Sequence, residues 1–432
     1  MKKLFLSISS LVQLSIGFAS RGGNPTASVA AVDITPPIEM NYTLGGYGEM
    51  MNKPAIAIHD RIWAKALALQ MDHRKYVIIT LDILGLPSNV KSDLIKRISG
   101  HGWGMENIML LPSHSHGSLE MAALNSKNLL NNPQIGIFQP ELLKFLLDKL
   151  EALIKEVDQS YQPVKIGTKS MIIDSLNHNR RKDSEVDKEL ITTRIDLTNG
   201  KPLAVLVNWT AHPTFLGGKD MLVSAEWPGY LQSELQNLIG NGVTAMYYNG
   251  AEGDQSPILD EPIDGYKKIE IYGKKIAAKA FELFKEIQTK NIEVFAYSYR
   301  TITLPEHIAH PSFMKTGGDE YKLNEKTVKT IIDMLCPTEV GLGSVRIGDL
   351  IIAGVPGEMA AGLGMKIKAS LKGGGIKYVA IGGLANEWIS YILSRDQYVH
   401  GEGYESSVSF YGAGLGDLLS SEIIKTAMPL TK

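Results

Sequence analysis

The sequence predicts a mixed α/β fold: a single large domain on a mixed sheet, helices on its faces, and an active site at the strand ends. Three observations carry this expectation. Apolar runs bounded by turn residues alternate with segments of helical period, so strands and helices interleave. The 432 residues are 44% hydrophobic and 21% charged, which supplies a sizeable core. The polar residues able to do chemistry fall just after several apolar runs, where open α/β sheets place their sites.

The strands are expected at Ile62–Met71, Tyr76–Ile83, Ile108–Pro112, Leu203–Trp209, Thr244–Tyr248, Leu350–Val355 and Tyr378–Gly382, each a short apolar run between turn signals. Ile292–Leu304 alternates in parts and reads as an edge strand. Helical period marks Asn89–Ile98, Glu141–Val157, Tyr230–Ile239, Ile269–Ile287 and Met359–Leu371. Pro140 stands before the second of these, where a fixed φ suits a first turn.

Residues 1–20 read as an export signal. Lys2 and Lys3 precede an apolar run from Leu4 to Ala19, with small residues near Gly17 and Ala19 that suit a peptidase. Ser7, Ser9, Ser10 and Ser15 interrupt the run, which is too short for a membrane span. The expected location is periplasmic or extracellular, with at most transient contact with a membrane surface. Cys336 is the only cysteine, so no intrachain disulfide and no thiolate metal cluster can form. Forty-four basic against 46 acidic residues leave a net charge of −2, with no basic excess for a nucleic-acid backbone.

Chemistry concentrates in five segments. Ser113-His114-Ser115-His116-Gly117 sets two imidazoles two apart at a strand end, where extended chain turns both to one side. That arrangement suits a metal ligand beside a proton donor, or equally a pair of solvated loop histidines. Ala211-His212-Pro213 delivers a third histidine at a turn stiffened by proline. Asn249-Gly250-Ala251-Glu252-Gly253-Asp254-Gln255-Ser256-Pro257 follows a strand; its glycines admit close backbone approach and Ser256 offers a nucleophile. It is neither a Walker loop nor a GxSxG elbow, and such loops are often plain turns. Pro356-Gly357-Glu358 repeats strand, turn and carboxylate, with Glu358 either a helix-start acid or a ligand. Gly383 through Tyr391, followed by Tyr398 and Tyr404, reads as a tyrosine-lined wall.

Taken together and in order, these segments resemble the catalytic domain of the neutral/alkaline non-lysosomal ceramidases. The matching stretches are His114-Ser115-His116-Gly117, Ala211-His212-Pro213, Gly253 through Pro257, Pro356-Gly357-Glu358, and Asn386 through Tyr391 with Tyr404-Glu405 and Tyr411-Gly412. Asp33-Ile34-Thr35 and Leu81-Asp82-Ile83 fit as well, so the resemblance runs through residues 26–430. It implies zinc ligands at His114, His212, Glu358 and Tyr391, a nucleophilic or substrate-facing Ser256, and His116 at the oxyanion. It further implies a substrate-contacting Arg180 and an active-site Tyr404. Asp254 is counted with the substrate-binding residues, although a cap on the loop that holds Ser256 is the favoured reading, since Asp readily bonds backbone two residues on. The chain departs from the family pattern at Gly117-Ser118-Leu119-Glu120 and at Ile258, and it ends near its catalytic motifs, where ceramidases add an immunoglobulin-like domain.

The resemblance thus implies a zinc-dependent amidohydrolase that cleaves ceramide or a ceramide-like N-acyl amide. Zinc would polarise the carbonyl and supply hydroxide, attack coming from that hydroxide or from Ser256, with His116 and Tyr404 at the oxyanion. Three other readings remain open at this point. The same zinc enzyme could act on a smaller amide or ester. The chain could be a zinc-stabilised carbohydrate- or lipid-binding protein without turnover. It could also be a metal-free Ser/His/Asp hydrolase in which Asp254 or Asp82 orients a histidine, or carry a second metal near Asp82.

Overall fold

Along the strand Trp63–Met71 the small residues Ala64, Ala66 and Ala68 alternate with Leu67, Leu69 and Met71, and the two sets enter different cores. The first set packs under helices and the second against another sheet. That alternation shows the plan of the molecule, a computed structural model that describes residues 14–16, 20–181, 183, 185–401 and 403–432. Most of the expected export segment 1–20 lies outside the described residues.

Twelve longer strands are numbered here in chain order. They are β1 Thr26–Asp33, β2 Trp63–Met71, β3 Arg74–Leu81, β4 Ile108–Pro112, β5 Gln162–Ile172, β6 Glu189–Leu197, β7 Pro202–Asn208, β8 Thr244–Tyr248, β9 Val294–Thr303, β10 Glu339–Ile347, β11 Leu350–Gly354 and β12 Tyr378–Gly382. The first eight form one mixed sheet in the order β8-β7-β6-β5-β1-β2-β3-β4, and the last four run in sequence through a second sheet. The predicted mixed α/β arrangement is therefore present, with its strands divided between two sheets. Leu67, Ile78 and Leu206 of the first meet Phe295, Val345 and Ile352 of the second in one buried layer. Each sheet consequently carries helices on its outer face only. Val294–Thr303 is not the edge: Leu14–Ile16 and Ser20–Arg21 pair outside it.

Helices α1 (Asn89–Arg97) and α2 (Pro140–Val157) cover part of the first sheet's outer face, and α3 (Glu226–Ile239) with α4 (Gly265–Glu286) covers the rest. The stripe Leu142, Leu146, Leu150, Leu153 and Val157 is the buried face of α2, which begins at Pro140. Helices α5 (Glu325–Leu335), α6 (Ala361–Gly373) and α7 (Leu415–Ala427) lie with the second sheet. Among the described residues no helix is long and apolar enough to cross a membrane.

Among the twelve longer strands three pairs are parallel: β3 with β4, β7 with β8, and β11 with β12. Each needs a crossover, and α1, α3 and α6 supply them. His114 follows β4, His212 follows β7, Glu358 follows β11 and Tyr391 follows β12. All four candidates thus leave the C-terminal ends of strands in parallel pairs, where helices and strands leave a crevice.

Candidate active site

The eight-stranded sheet curls so that its edge strand β8 comes over β2. Lys65 on β2 donates to the Ala245 carbonyl on the edge strand β8 at 2.8 Å. Past the ends of β4 and β7 the curl brings the Nε2 atoms of His114 and His212 to 3.0 Å. The other ring nitrogens face carbonyls: Nδ1 of His114 meets Leu84 O at 2.7 Å, and Nδ1 of His212 meets Glu252 O at 2.9 Å. A carbonyl can only accept, so each Nδ1 carries the proton and both Nε2 lone pairs point inward. Burial and the Arg180 charge hold His212 down to about 4, so its ring is neutral near pH 7.

Glu358 completes the cluster. Its Oε2 lies 3.3 Å from Nε2 of His114 and 3.2 Å from Nε2 of His212. Trp388 Nε1 donates to Oε1 at 2.8 Å and fixes the carboxylate. Glu358 and Tyr391 are register partners in a two-residue parallel pair, which sets their side chains next to each other. Three electron-pair donors facing one another without a hydrogen between them repel unless a cation joins them. A metal ion is what such a cluster can hold.

His116 stands beside it, its ring centroid 4.9 Å from that of His114 and 4.8 Å from that of Tyr47. Ligand atoms of His114, His116 and His212 all lie within 4.8 Å of one another. Both His116 nitrogens are buried and have no hydrogen-bond partner among the described residues. Burial pushes its pKa well below the usual value, so it too is neutral. His114 reaches this place by a route other than the expected extended chain: its φ is 71°, a left-handed turn rarely adopted by non-glycine residues.

The cluster forms one end of a cavity of about 470 Å³. Arg180, Tyr391 and Tyr404 line the polar end, while Phe313, Val328, Ile331, Ile332 and Phe410 line an apolar end. Much of that apolar wall comes from the long connection between β9 and β10, which contains α5.

Residues 26–265 match the family model described as neutral/alkaline non-lysosomal ceramidase, N-terminal. The chain belongs to this family. A neutral ceramidase of Pseudomonas aeruginosa is 22% identical over 456 residues, covering 85% of this chain and 66% of the relative. One from Drosophila melanogaster is 25% identical over 223 residues, covering 47% of this chain and 30% of the relative. The chain therefore spans under two thirds of the length of both relatives. The crystal structure of the Pseudomonas aeruginosa neutral ceramidase superposes with a TM-score of 0.80 at 18% identity, covering 95% of this chain and 75% of that one. A ceramidase complexed with C2 gives 0.81 at the same identity.

Of the residues that the family pattern singles out, His114, His116, His212, Glu358, Tyr391, Arg180 and Tyr404 come together around this cavity. Arg180 is the arginine of the doubled pair that faces it, donating to Tyr391 Oη at 3.0 Å and to Glu405 at 2.6 Å. Arg181 turns away, to Glu405 at 3.1 Å and the Gln397 carbonyl. Ser256 is not among the cavity-lining residues; it is half-buried on a short strand opposite His178, next to Gln255, whose carbonyl accepts the His212 N–H.

Asp254 stands outside the cavity lining. Its Oδ1 accepts the Ala361 N–H at 2.7 Å at the start of α6, and its Oδ2 accepts from Asn179 at 3.0 Å. Fully buried and so engaged, it joins loops behind the site. Asp82 likewise serves Trp63 N and Gln232 Nε2 at 3.0 and 2.7 Å. Neither aspartate touches a histidine, since the His114 and His212 Nδ1 atoms bond carbonyls, which removes the metal-free triad.

Gly46, Tyr47, Glu226, Asn249 and Trp388 are the site residues that sequence reasoning left without a role. Glu226 accepts from the His116 and Gly117 N–H groups at 2.7 and 3.1 Å, holding the histidine loop from the first turn of α3. Its φ of 52° is the one available signal of its task, and no sequence pattern announces it.

Proposed function

We propose that this chain is a zinc-dependent amidohydrolase cleaving the N-acyl amide of ceramide or a ceramide-like lipid, and that residues 1–20 direct its export. One observation carries the metal: inward-facing Nε2 atoms and a carboxylate oxygen at mutual distances of 3.0, 3.2 and 3.3 Å. Bonds of about 2.0–2.1 Å in a tetrahedral zinc sphere separate neighbouring ligand atoms by roughly 3.3 Å, so the donor set fits that ion. His114, His212 and Glu358 would hold it, with Tyr391 as a further oxygen donor. Zinc bound there supplies Lewis acidity toward a carbonyl and lowers the pKa of water to about 7.

The chain's own residues do the rest. The apolar wall around Phe313 and Ile332 takes the hydrocarbon part of an amphiphile, which places its polar amide against the cluster. His116, neutral and without a protein partner, offers a ring N–H to the oxygen that becomes negative. Tyr404, held across the ring of Tyr391 at 6.0 Å, is a second donor once its hydroxyl turns from Glu320 to the substrate. Arg180 orients Tyr391 through its 3.0 Å bond. Of the two nucleophiles, water has access to the cluster through the cavity, whereas Ser256 stands outside the lining.

The test is elemental analysis of the purified protein together with hydrolysis of a panel: short- and long-chain N-acylsphingosines, simple N-acyl amines and esters. Stoichiometric zinc and release of fatty acid from the N-acylsphingosines are expected. Turnover of the small amides alone would move the assignment to a non-sphingolipid substrate, and no turnover with zinc bound would favour a binding protein. A Ser256→Ala protein that keeps zinc and turnover supports water as the nucleophile; one that keeps zinc and loses turnover returns that role to the serine.

A further inference from the structure

The two histidine-bearing strands sit far apart in the sheet. In the order β8-β7-β6-β5-β1-β2-β3-β4, His212 follows the second strand and His114 follows the last. No ladder of backbone hydrogen bonds joins those two strands, so something else must set the gap between the loops beyond them.

Asn249, the residue after β8, lies between the loops and is fully buried. Its Oδ1 accepts the Ala211 N–H at 3.3 Å and the Gly250 N–H at 2.9 Å. Its Nδ2 donates to the Ala211 carbonyl at 3.0 Å and the Ser113 carbonyl at 3.3 Å. Both donors and both acceptor positions of the amide are thereby used. Ala211 immediately precedes His212 and Ser113 immediately precedes His114, so one side chain grips the residue before each imidazole. Asn249 is itself held from behind, since Asn208 donates to the Asn249 carbonyl at 3.3 Å and to Tyr248 and Ile381 carbonyls.

We propose that Asn249 is the positioning residue that sets the separation of His114 and His212, and through it the affinity of the site for its metal. This rests on the metal reading above. A primary amide is required because two carbonyls must receive donors while two N–H groups must find acceptors. Aspartate keeps the shape and the acceptors but presents a carboxylate to the carbonyls of Ser113 and Ala211.

The experiment is zinc titration of metal-free protein against a chromophoric chelator, for wild type, Asn249→Ala, Asn249→Asp and a control, Asn107→Ala. The Asn107 side chain bonds Gly102 O and Gly104 N within its own turn, away from the cavity. Zinc affinity is expected to fall about 10–100-fold in whichever Asn249 variants keep the wild-type far-UV spectrum, the range typical of lost outer-sphere support. The visible spectrum of the cobalt-substituted protein should shift with it. Asn107→Ala should lower Tm yet leave zinc affinity and the cobalt spectrum as in wild type. Folded Asn249 variants with wild-type zinc affinity and cobalt spectrum overturn the proposal while leaving the metal centre standing. A wild-type protein that takes up no zinc overturns the metal reading itself, and this inference with it.

Discussion

Arg180 donates from Nη2 to the phenol oxygen of Tyr391 at 3.0 Å while its Nε grips Glu405 at 2.6 Å. The same guanidinium also reaches the Gly253 carbonyl at 2.8 Å, so three loops meet on one side chain. Lysine carries the charge but cannot serve three acceptors in these directions at once. Arg180→Lys is therefore expected to lower kcat/KM by about 10²-fold, the order of losing one well-aimed polar contact at a reacting centre. Zinc content should not change. Steady-state kinetics and metal analysis on the same preparation check both halves.

Gly46 is left-handed, with φ at 94°, and a Cβ there would overlap the His116 ring at Nδ1. Gly46→Ala must displace the imidazole or the loop, in addition to straining its own backbone by about 1–3 kcal/mol. The expected outcome is a loss of kcat of about 10²-fold or more with metal still bound. An alanine variant with wild-type kcat would show that His116 has no donor role in the reaction.

Glu120 lies in the wall of the cavity, and burial pushes its pKa up to about 7 despite N–H groups such as that of Ala122, 2.9 Å away. The folded state thus holds this proton more tightly than the unfolded chain. The sign follows: stability from this group falls as pH rises from about 4.5 toward 7 and stays lower above it. Glu120→Gln keeps an oxygen for Ala122 and removes the titration. Relative to wild type it should gain stability at pH 8, by up to ~3 kcal/mol, with little gain at pH 4. Urea midpoints at the two pH values decide; parallel behaviour of the two proteins would refute the burial argument.

Asp254→Ala should act on stability and spare substrate binding. It strands the Ala361 N–H at the head of α6 and the Asn179 amide, a cost of about 1–3 kcal/mol. Denaturant unfolding should show that loss with KM unchanged. A KM raised about tenfold at wild-type stability would instead support a substrate role.

His212→Ala removes one of the two inward-facing nitrogens and leaves Glu358 Oε2 beside a single imidazole. The variant should purify without metal and without turnover. Chelation of wild-type zinc should lower Tm as well, since saturation at about a thousand times Kd adds ~4 kcal/mol to the folded state. Unchanged Tm on chelation would separate the metal from folding.

Much of the framework was legible in the chain. Ile62–Met71, Ile108–Pro112, Thr244–Tyr248 and Tyr378–Gly382 are dense apolar runs and fold as β2, β4, β8 and β12 within a residue of the expected bounds. β5 and β6 escaped because their apolar content is diluted. Lys165, Thr168, Lys169 and Ser170 punctuate β5, whose second half is only partly covered, and Thr192 and Thr193 are buried in β6. Helix α7 escaped because Gly416, Asp417, Ser420 and Ser421 break up its apolar stripe.

The sequence by itself determined which donors exist, in what order they occur, and that each follows a strand, because composition and strand-ending turns are local properties of the chain. It could not determine which donors meet. His114 and His212 are 98 residues apart and leave strands that no ladder connects. Sheet curvature, the packing of one sheet on the other, and a buried amide at Asn249 bring them to 3.0 Å. Asp254 shows the converse, a residue in a chemistry-rich loop whose carboxylate is drawn into a helix start. These outcomes belong to tertiary structure because sheet closure and burial depend on contacts between distant segments, which no stretch of sequence contains alone.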